Sequence, residues 1–386
     1  MSPKMDNALS FAPICLTLYP HNQCNLRCLY CYSQDRTLQK PQYISLEAIS
    51  AATSFIISNC LKQNRPFIVG FHGGCEPLLD FDFIKVCLKE VKNICRESGI
   101  TPFLHVTTNG VLCKPIALEA ALLFDSITIS CDGPAIFHDR FRVTASGQGS
   151  LERVERSGQI FLTKMGNPGN LRVRATISEA SVDHLETIIR YFAERWAGLK
   201  NLHLEPVYVR RRAGSSFQPR RFVTAFLRAR ALARSCGIDL MYAGTRPGER
   251  HRQFCPVLQN NLVITPEGFL SACFCVTGKN CDDDSRFLYG SYEGKEKRIQ
   301  IEYQKLQSFF LSLRQEAGKC QKCLNRFHCS RGCPEVCPLE PNYLQSLSQF
   351  DCEIQKNIGY ALQTEKGHLP FRDVEDPTFL ALPEGL

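Results

Sequence analysis

Between Ile14 and Cys236 the chain repeats one alternation six times: a short run rich in β-branched residues, then a longer run whose apolar positions have helical spacing. The short runs are ICLTLY from Ile14, FIVGFHG from Phe67, LHVTTNG from Leu104, SITISCDG from Ser126, LRVRATI from Leu171 and LHLEPVY from Leu202. The longer ones begin at Ser45, Phe81, Lys114, Ser150, Ser181 and Arg220. A helix between successive strands supplies the long crossover that parallel pairing needs. Six such units predict a parallel sheet with helices outside, as an open barrel or a doubly wound sheet. Ser45 with Glu47 in the first turn reads as a helix start, and Gly99 and Gly237 as left-handed stops.

In a barrel, chemistry belongs at the C-terminal ends of the strands. The polar signatures fall there: GFHGGCEP after the second strand, TTNG after the third and SCDGP after the fourth. Turn formation alone would explain the glycines. It would not explain why acid, amide and hydroxyl groups accompany them.

The loop after the first strand reads HNQCNLRCLYC and places Cys24, Cys28 and Cys31 within eight residues. A structural zinc closes its shell with four ligands. A cubane iron–sulfur cluster has four irons and usually takes four thiolates, so three leave one iron for something other than protein. The chain has 21 cysteines in 386 residues. Length and the odd count argue for metal binding in a reducing, cytoplasmic setting rather than a disulfide framework. Cys15, Cys60, Cys87, Cys95, Cys113 and Cys236, scattered among apolar neighbours, read as small core residues. ALSFAPICLTLYP, broken by Pro13, reads as a first strand and not as a signal-peptide core. No apolar run approaches the roughly 18 residues that cross a bilayer, so no membrane partner is expected.

The net charge is +8, from 46 basic and 38 acidic residues. Eight arginines (Arg210, Arg211, Arg212, Arg220, Arg221, Arg228, Arg230 and Arg234) lie between Pro206 and Ile238 without lysine or acid. Without them, 38 basic residues face 38 acidic ones. The segment is either a solvated face or a docking surface for an acidic peptide. It offers no stacking motif for nucleic acid.

From about Arg250 the texture changes to cysteine, glycine and loop. NLVITPEGFLSACFCV predicts a hairpin around Pro-Glu-Gly, and a helical stretch runs from Tyr303 to Glu316. The tail beyond Gly359, rich in proline and acid, is expected to be extended. This divides the chain into residues 1–240, 250–355 and 356–386.

CNLRCLYC, with three residues and then two between cysteines, resembles the cluster motif of the radical S-adenosylmethionine (SAM) superfamily. The resemblance implies a partial (β/α)6 barrel of TIM type in which Cys24, Cys28 and Cys31 ligate a [4Fe–4S] cluster that binds SAM. It places Tyr30 against the adenine region. Gly73, Gly74, Glu76 and Pro77 match the segment that receives the methionine amino group, with Cys75 where many relatives have glycine or nothing. Ser130, Asp132 and Arg174 resemble the positions that hold ribose and carboxylate; a guanidinium can fork onto a carboxylate. Asn109 is a further candidate.

In the second half, Cys255, Gly268, Cys273, Cys320, Cys323, Cys329, Cys333 and Cys352 resemble the SPASM pattern, which implies a small cysteine-rich domain with two auxiliary [4Fe–4S] clusters. Cys320, Cys323, Cys329 and Cys352 would close one. Cys255, Cys273 and Cys333 would bind the other, its fourth ligand being Cys275, Cys281 or an open iron. Cys337 is a spare. Zinc is the alternative occupant for the Cys320 to Cys333 group.

The resemblance implies reductive cleavage of SAM to a 5′-deoxyadenosyl radical, hydrogen abstraction from a substrate carbon, and auxiliary clusters as electron acceptors. The leading expectation is a maturase that oxidises or crosslinks a residue of a ribosomally synthesised peptide, served by a flavodoxin- or ferredoxin-type donor. The alternative is an anaerobic sulfatase maturase making formylglycine, because FHGGCEPLL and SCDGPAIFHDRFR resemble that family closely. Such enzymes carry an acidic proton acceptor directly after the Gly-x4-Cys cysteine. Here that position is Phe274.

Overall fold

The computed structural model describes residues 11–33, 39–207, 217–245, 249–250, 260–276, 278, 287–314, 318–330, 349–364 and 372–373. The six expected units are present. They run β1 (Cys15–Leu18), α1 (Leu46–Gln63), β2 (Phe67–Phe71), α2 (Phe81–Glu97), β3 (Pro102–Thr108), α3 (Lys114–Leu123), β4 (Ser126–Ser130), α4 (Ala135–Phe141), α5 (Leu151–Lys164), β5 (Leu171–Ile177), α6 (Leu185–Arg195), β6 (Asn201–Pro206) and α7 (Pro219–Ser235). Local chemistry sets the boundaries. The Ser45 hydroxyl accepts from the Ala48 amide at 3.2 Å and starts α1. Gly99 and Gly237 take φ of 67° and 70° after α2 and α7, as a left-handed stop requires. In α2 the buried residues Phe81, Ile84, Leu88, Val91 and Cys95 recur at three and four, the stripe that faces the sheet.

Several short elements of the barrel go beyond the sequence reading. The seven-residue helix α4 follows β4, a 3₁₀ turn (Pro77–Asp80) follows the GGCEP segment, and a seventh parallel strand, β7 (Asp239–Met241), pairs with β6. These are short, and segments of three to seven residues do not establish a period.

Among the described residues the sheet has eleven strands, ordered β11-β10-β9-β8-β1-β2-β3-β4-β5-β6-β7. The hairpin is β8 (Asn261–Ile264) and β9 (Phe269–Ser271), followed by β10 (Leu288–Glu293) and β11 (Arg298–Ile301). β8 pairs in parallel with β1, with Leu16 opposite Leu262 and Leu18 opposite Ile264. The hairpin therefore extends the barrel sheet, and the division between residues 240 and 250 does not coincide with a break in it. Thr17 and Asn261 hydrogen-bond across this junction at 2.9 Å. The fold is a mixed α/β architecture, an open partial barrel of TIM type with an added region. That region ends in α8 (Tyr303–Arg314), α9 (Gly318–Gln321) and α10 (Gln349–Thr364). The expectation of an extended chain beyond Gly359 is corrected: α10 continues to Thr364, with Ile358 and Leu362 buried.

The strands separate two environments. In β5, Leu171, Val173, Ala175 and Ile177 are buried, while Arg172, Arg174 and Thr176 alternate with them on the other face. β3 and β6 do the same with His105, Thr107 and His203. One face packs on the helices and the other presents polar groups. Ser130, Arg174 and His203 lie opposite one another on adjacent strands.

Among the scattered cysteines, Cys15, Cys60, Cys87 and Cys95 are buried as expected, but Cys113 and Cys236 are exposed. Each flanks a helix end, Cys113 before α3 and Cys236 after α7, where the chain turns outward. The arginines of α7 have partners. Arg221 meets Glu179 and Asp183, Arg228 meets Glu186 at 3.5 Å, and Arg220 meets Glu353 of α10 at 3.1 Å. Arg230 is buried and donates to the Leu240 carbonyl. The helical part of the arginine segment is thus engaged within the fold. Arg210, Arg211 and Arg212 lie outside the described residues.

Candidate active site

The loop after β1 is fastened to the ends of three other strands. Glu76, 1% exposed, accepts from the Leu78 amide at 3.1 Å, the Thr108 hydroxyl at 2.7 Å and the Asn109 amide at 2.5 Å. Burial pushes its carboxyl up to about 7, against the pull of these three donors. All three partners are protein groups, so Glu76 braces the β2 and β3 loops against each other, and Pro77 opens the 3₁₀ turn that its carboxylate caps. Asn109 reaches the cysteine loop: its side-chain amide donates to Asn25 Oδ1 at 2.7 Å and lies 3.7 Å from Cys24 Sγ.

Gly73 and Gly74 are required by packing. Gly73 has φ of 151°, and a Cβ there would lie 2.3 Å from the Tyr19 ring; one on Gly74 would lie 1.7 Å from Ser33 Oγ. The GGC turn therefore closes directly onto the residues that flank the cysteine triplet. Burial, and then the neighbouring Glu76 carboxylate, push the Cys75 thiol well above its usual range.

Backbone amides point at two of the thiols. The Leu26 amide lies 3.4 Å from Cys24 Sγ and the Ser33 amide 3.4 Å from Cys31 Sγ. Burial pushes Cys24 up to about 12 and Cys28 up to about 11, and the mutual proximity of the thiols adds to it. Three sulfurs from one short loop with N–H groups turned toward them fit a multi-iron cluster, which takes one thiolate per iron. Among the described residues no group of three or more His, Cys, Asp or Glu converges on a single metal ion. A cluster does not need its thiolates to meet at one point.

Tyr30 and Asp132 are brought together. The Tyr30 hydroxyl donates to Asp132 Oδ2, which also accepts from Arg142 Nε at 3.1 Å, while Oδ1 accepts from the Thr176 amide at 2.9 Å. Asp132 is 2% exposed and fully engaged by protein donors. Arg142 lies over the Tyr30 ring at 5.4 Å. His138 supports this group, accepting from the Asp132 amide at Nδ1 and lying 3.0 Å from the Ser150 hydroxyl at Nε2. Ser130 and Arg174 pair across β4 and β5, with Arg174 exposed on the polar face.

The hairpin brings the second set of cysteines to the same rim. Gly268, with φ of 82°, turns the chain between β8 and β9, and the next residues fold back so that the Cys275 amide lies 3.3 Å from Cys273 Sγ. Phe274 between them packs edge-on against His72 at 4.5 Å. Burial, and then the charge of Arg174, depress His72 to about 4. Burial raises the Tyr32 phenol, and the Cys275, Tyr19, Cys31 and Cys273 groups add to it, so Tyr32 lies between the two sets of thiols.

Cys323, Cys329 and Cys352 collect around α10. Cys323 Sγ lies 3.7 Å from the Tyr360 hydroxyl, and Cys329 Sγ lies 2.7 Å from Gln355 Oε1. Cys352 and Cys323 both act on Tyr360, and Cys320 carries the carbonyl that accepts from the Cys323 amide. This donor set fits a closed four-thiolate cluster. Cys255, Cys281, Cys333 and Cys337 lie outside the described residues.

Sequence reasoning missed Arg142, His72, Tyr32 and Ser33. Arg142 follows a helix too short to be foreseen, and His72 and Tyr32 gain meaning only from contacts with residues far along the chain.

No family model matches the chain. It is 25% identical over 182 residues to a cysteine-type anaerobic sulfatase-maturating enzyme of Clostridium novyi, covering 45% of this chain and 46% of that one. It is 25% identical over 193 residues to the radical SAM cyclopropyl synthase TigE of Paramaledivibacter caminithermalis, covering 47% and 39%. In these alignments the chain spans about half the length, or less, of the curated relatives it matches. In three dimensions it matches anSMEcpe with bound AdoMet at a TM-score of 0.71, 16% identity and coverage of 91% and 98%. Streptococcus suis SuiB with bound S-adenosylmethionine matches at 0.57, 17% identity and coverage of 88% and 78%. The homologues thus include anaerobic sulfatase-maturating enzymes and a radical SAM cyclopropyl synthase, and both of these structural neighbours were solved with S-adenosylmethionine bound. Among the described residues no helix is long and apolar enough to cross a membrane.

Proposed function

We propose that this chain is a radical SAM enzyme of the SPASM type that oxidatively modifies or crosslinks a residue in a ribosomally synthesised peptide. Cys24, Cys28 and Cys31 would hold a [4Fe–4S] cluster, which would supply reductive cleavage of SAM. The chain's own part is positioning. Glu76 and Asn109 fix the cysteine loop against β2 and β3, and Asp132 and Arg142 fix the Tyr30 ring. Ser130 and Arg174 offer a hydroxyl and a guanidinium to the ligand's ribose and carboxylate. The cysteines of the second half would hold two auxiliary clusters, which would supply an acceptor for the electron an oxidised substrate must lose. Peptide substrates are supported by neighbours solved with peptide bound: anSMEcpe with the Cp18Cys peptide and SuiB with its precursor SuiA.

Phe274 carries the choice between the two maturase readings. Formylglycine formation needs a proton acceptor beside the substrate carbon, and this position holds an aromatic ring packed on a neutral His72. A crosslinking or other radical-coupling reaction tolerates an apolar group there. The sulfatase-maturase reading is favoured by the 0.71 TM-score to anSMEcpe. The test is to reduce the reconstituted protein with dithionite, add SAM and a sulfatase-type cysteine peptide, and follow 5′-deoxyadenosine and peptide mass. Cofactor cleavage without an aldehyde product is expected. Aldehyde formation at the cysteine would transfer the assignment to the sulfatase maturases.

A further inference from the structure

Reductive chemistry at the Cys24–Cys31 loop draws electrons from outside the chain, and the outer side of that loop has the properties of an entry point. Residues 26–29 run antiparallel to residues 141–144. The Arg27 amide donates to the Val143 carbonyl at 2.7 Å, the Leu29 amide donates to the Phe141 carbonyl at 2.9 Å, and Leu26 bridges Thr144. Leu29, next in the chain to the ligand Cys28, is 61% exposed. Across the ladder, α4 presents Ile136, 73% exposed, and Arg140, one helical turn further along the same face. Arg140 lies over the Phe141 ring at 5.7 Å and has no carboxylate partner among the described residues. Arg27 turns its guanidinium onto the carbonyls of Cys24 and Leu26, both at 2.8 Å. These acceptors are neutral, and among the described residues no carboxylate pairs with Arg27.

Two exposed apolar tips beside two cations that have no carboxylate partner among the described residues, one residue from a proposed cluster ligand, call for a partner with an apolar centre and an acidic rim. We propose that Leu29, Ile136, Arg27 and Arg140 form the docking surface for an acidic flavodoxin-type electron carrier. This rests on the reading that the loop holds a redox cluster. In each encounter the carrier's anionic flavin hydroquinone becomes the neutral semiquinone and one electron passes to the site.

Dithionite is small and needs no docking surface, so it separates the chemistry from the docking. Arg140→Glu is expected to keep wild-type iron content, visible absorbance and dithionite-driven 5′-deoxyadenosine formation. Its affinity for a reduced acidic bacterial flavodoxin, measured by titration calorimetry at low salt, should fall about tenfold, and the flavodoxin-driven rate with it. Wild-type affinity should weaken as salt rises, while that of the variant stays nearly flat. Arg140→Gln should fall between the two. Equal low-salt affinities for wild type and Arg140→Glu would overturn the docking proposal alone. So would a wild type that does not bind the flavodoxin, or a variant that instead loses affinity for a peptide substrate. A wild type that makes no 5′-deoxyadenosine with dithionite would overturn both this proposal and the reading beneath it.

Discussion

The barrel and the cysteine-rich half both present thiols, but they hold them by different means. In the barrel, the triplet hangs on a loop whose neighbours are fixed by an apolar core and by polar braces at strand ends, Glu76 to Asn109 and Asp132 to Arg142. In the cysteine-rich half, the described thiols sit on a hairpin end, a four-residue helix, a bridge at Cys329 and the helix α10. Large buried side chains such as Trp196, Phe161, Phe192 and Phe226 belong to the barrel. A scaffold built from apolar burial keeps its shape without a ligand. One built from short elements around thiols takes much of its order from what the thiols bind, as metal-stabilised domains do.

The largest expected effect separates the two halves chemically. Replacing Cys24, Cys28 and Cys31 together by alanine should abolish 5′-deoxyadenosine formation while leaving about two thirds of the iron, held by the second half. Iron analysis and absorbance spectra check this, and a colourless triple variant would show that the halves are not independent. Next in size is a disruption of the barrel alone. Trp196 is fully buried, against Phe192 at 5.7 Å and with Gly158 beneath it. Trp196→Ala should lower stability in denaturant by about 3–5 kcal/mol. A loss below 1 kcal/mol would mean that the barrel does not depend on this core.

A pH effect of similar origin should follow. His138 is depressed from 6.5 to about 4, mainly by burial; nearby Asp132, Asp139 and Glu155 oppose the shift, and Arg142 reinforces it. The folded form keeps His138 neutral, because a proton at Nδ1 would break the bond to the Asp132 amide. Its contribution is complete above 6.5, where the unfolded imidazole is also neutral. It is lost as pH falls through 6.5 toward 4, by up to about 3 kcal/mol. His72 at about 4 and His105 at about 3 act in the same direction. Melting temperatures between pH 7 and 4.5 check this, and His138→Gln should flatten the profile.

The smallest effect belongs to the seam. Phe217, just before α7, packs on Phe350 of α10 at 5.7 Å, and beside them Arg220 pairs with Glu353 at 3.1 Å while remaining 88% exposed. Arg220→Ala should change stability by no more than about 0.5–1 kcal/mol, and Phe350→Ala should exceed it. Thermal melts of the two variants compare the contributions directly.

The sequence by itself settled the repeated strand–helix order, the helix ends at Ser45, Gly99 and Gly237, the hairpin at Gly268 and the cysteine spacings, because each rests on local periodicity, backbone freedom or loop geometry. It did not show that β8 joins β1, that Glu76 and Asp132 are braces, or that Phe274 meets His72. It also placed Cys113 and Cys236 inside when they lie outside, and read the chain just beyond Gly359 as extended where α10 continues. Those outcomes depend on residues up to 244 positions apart, as Thr17 and Asn261 are. Only the closing of the sheet brings such side chains within hydrogen-bonding distance. No pattern along the chain encodes which of two apolar or polar faces will find a partner there.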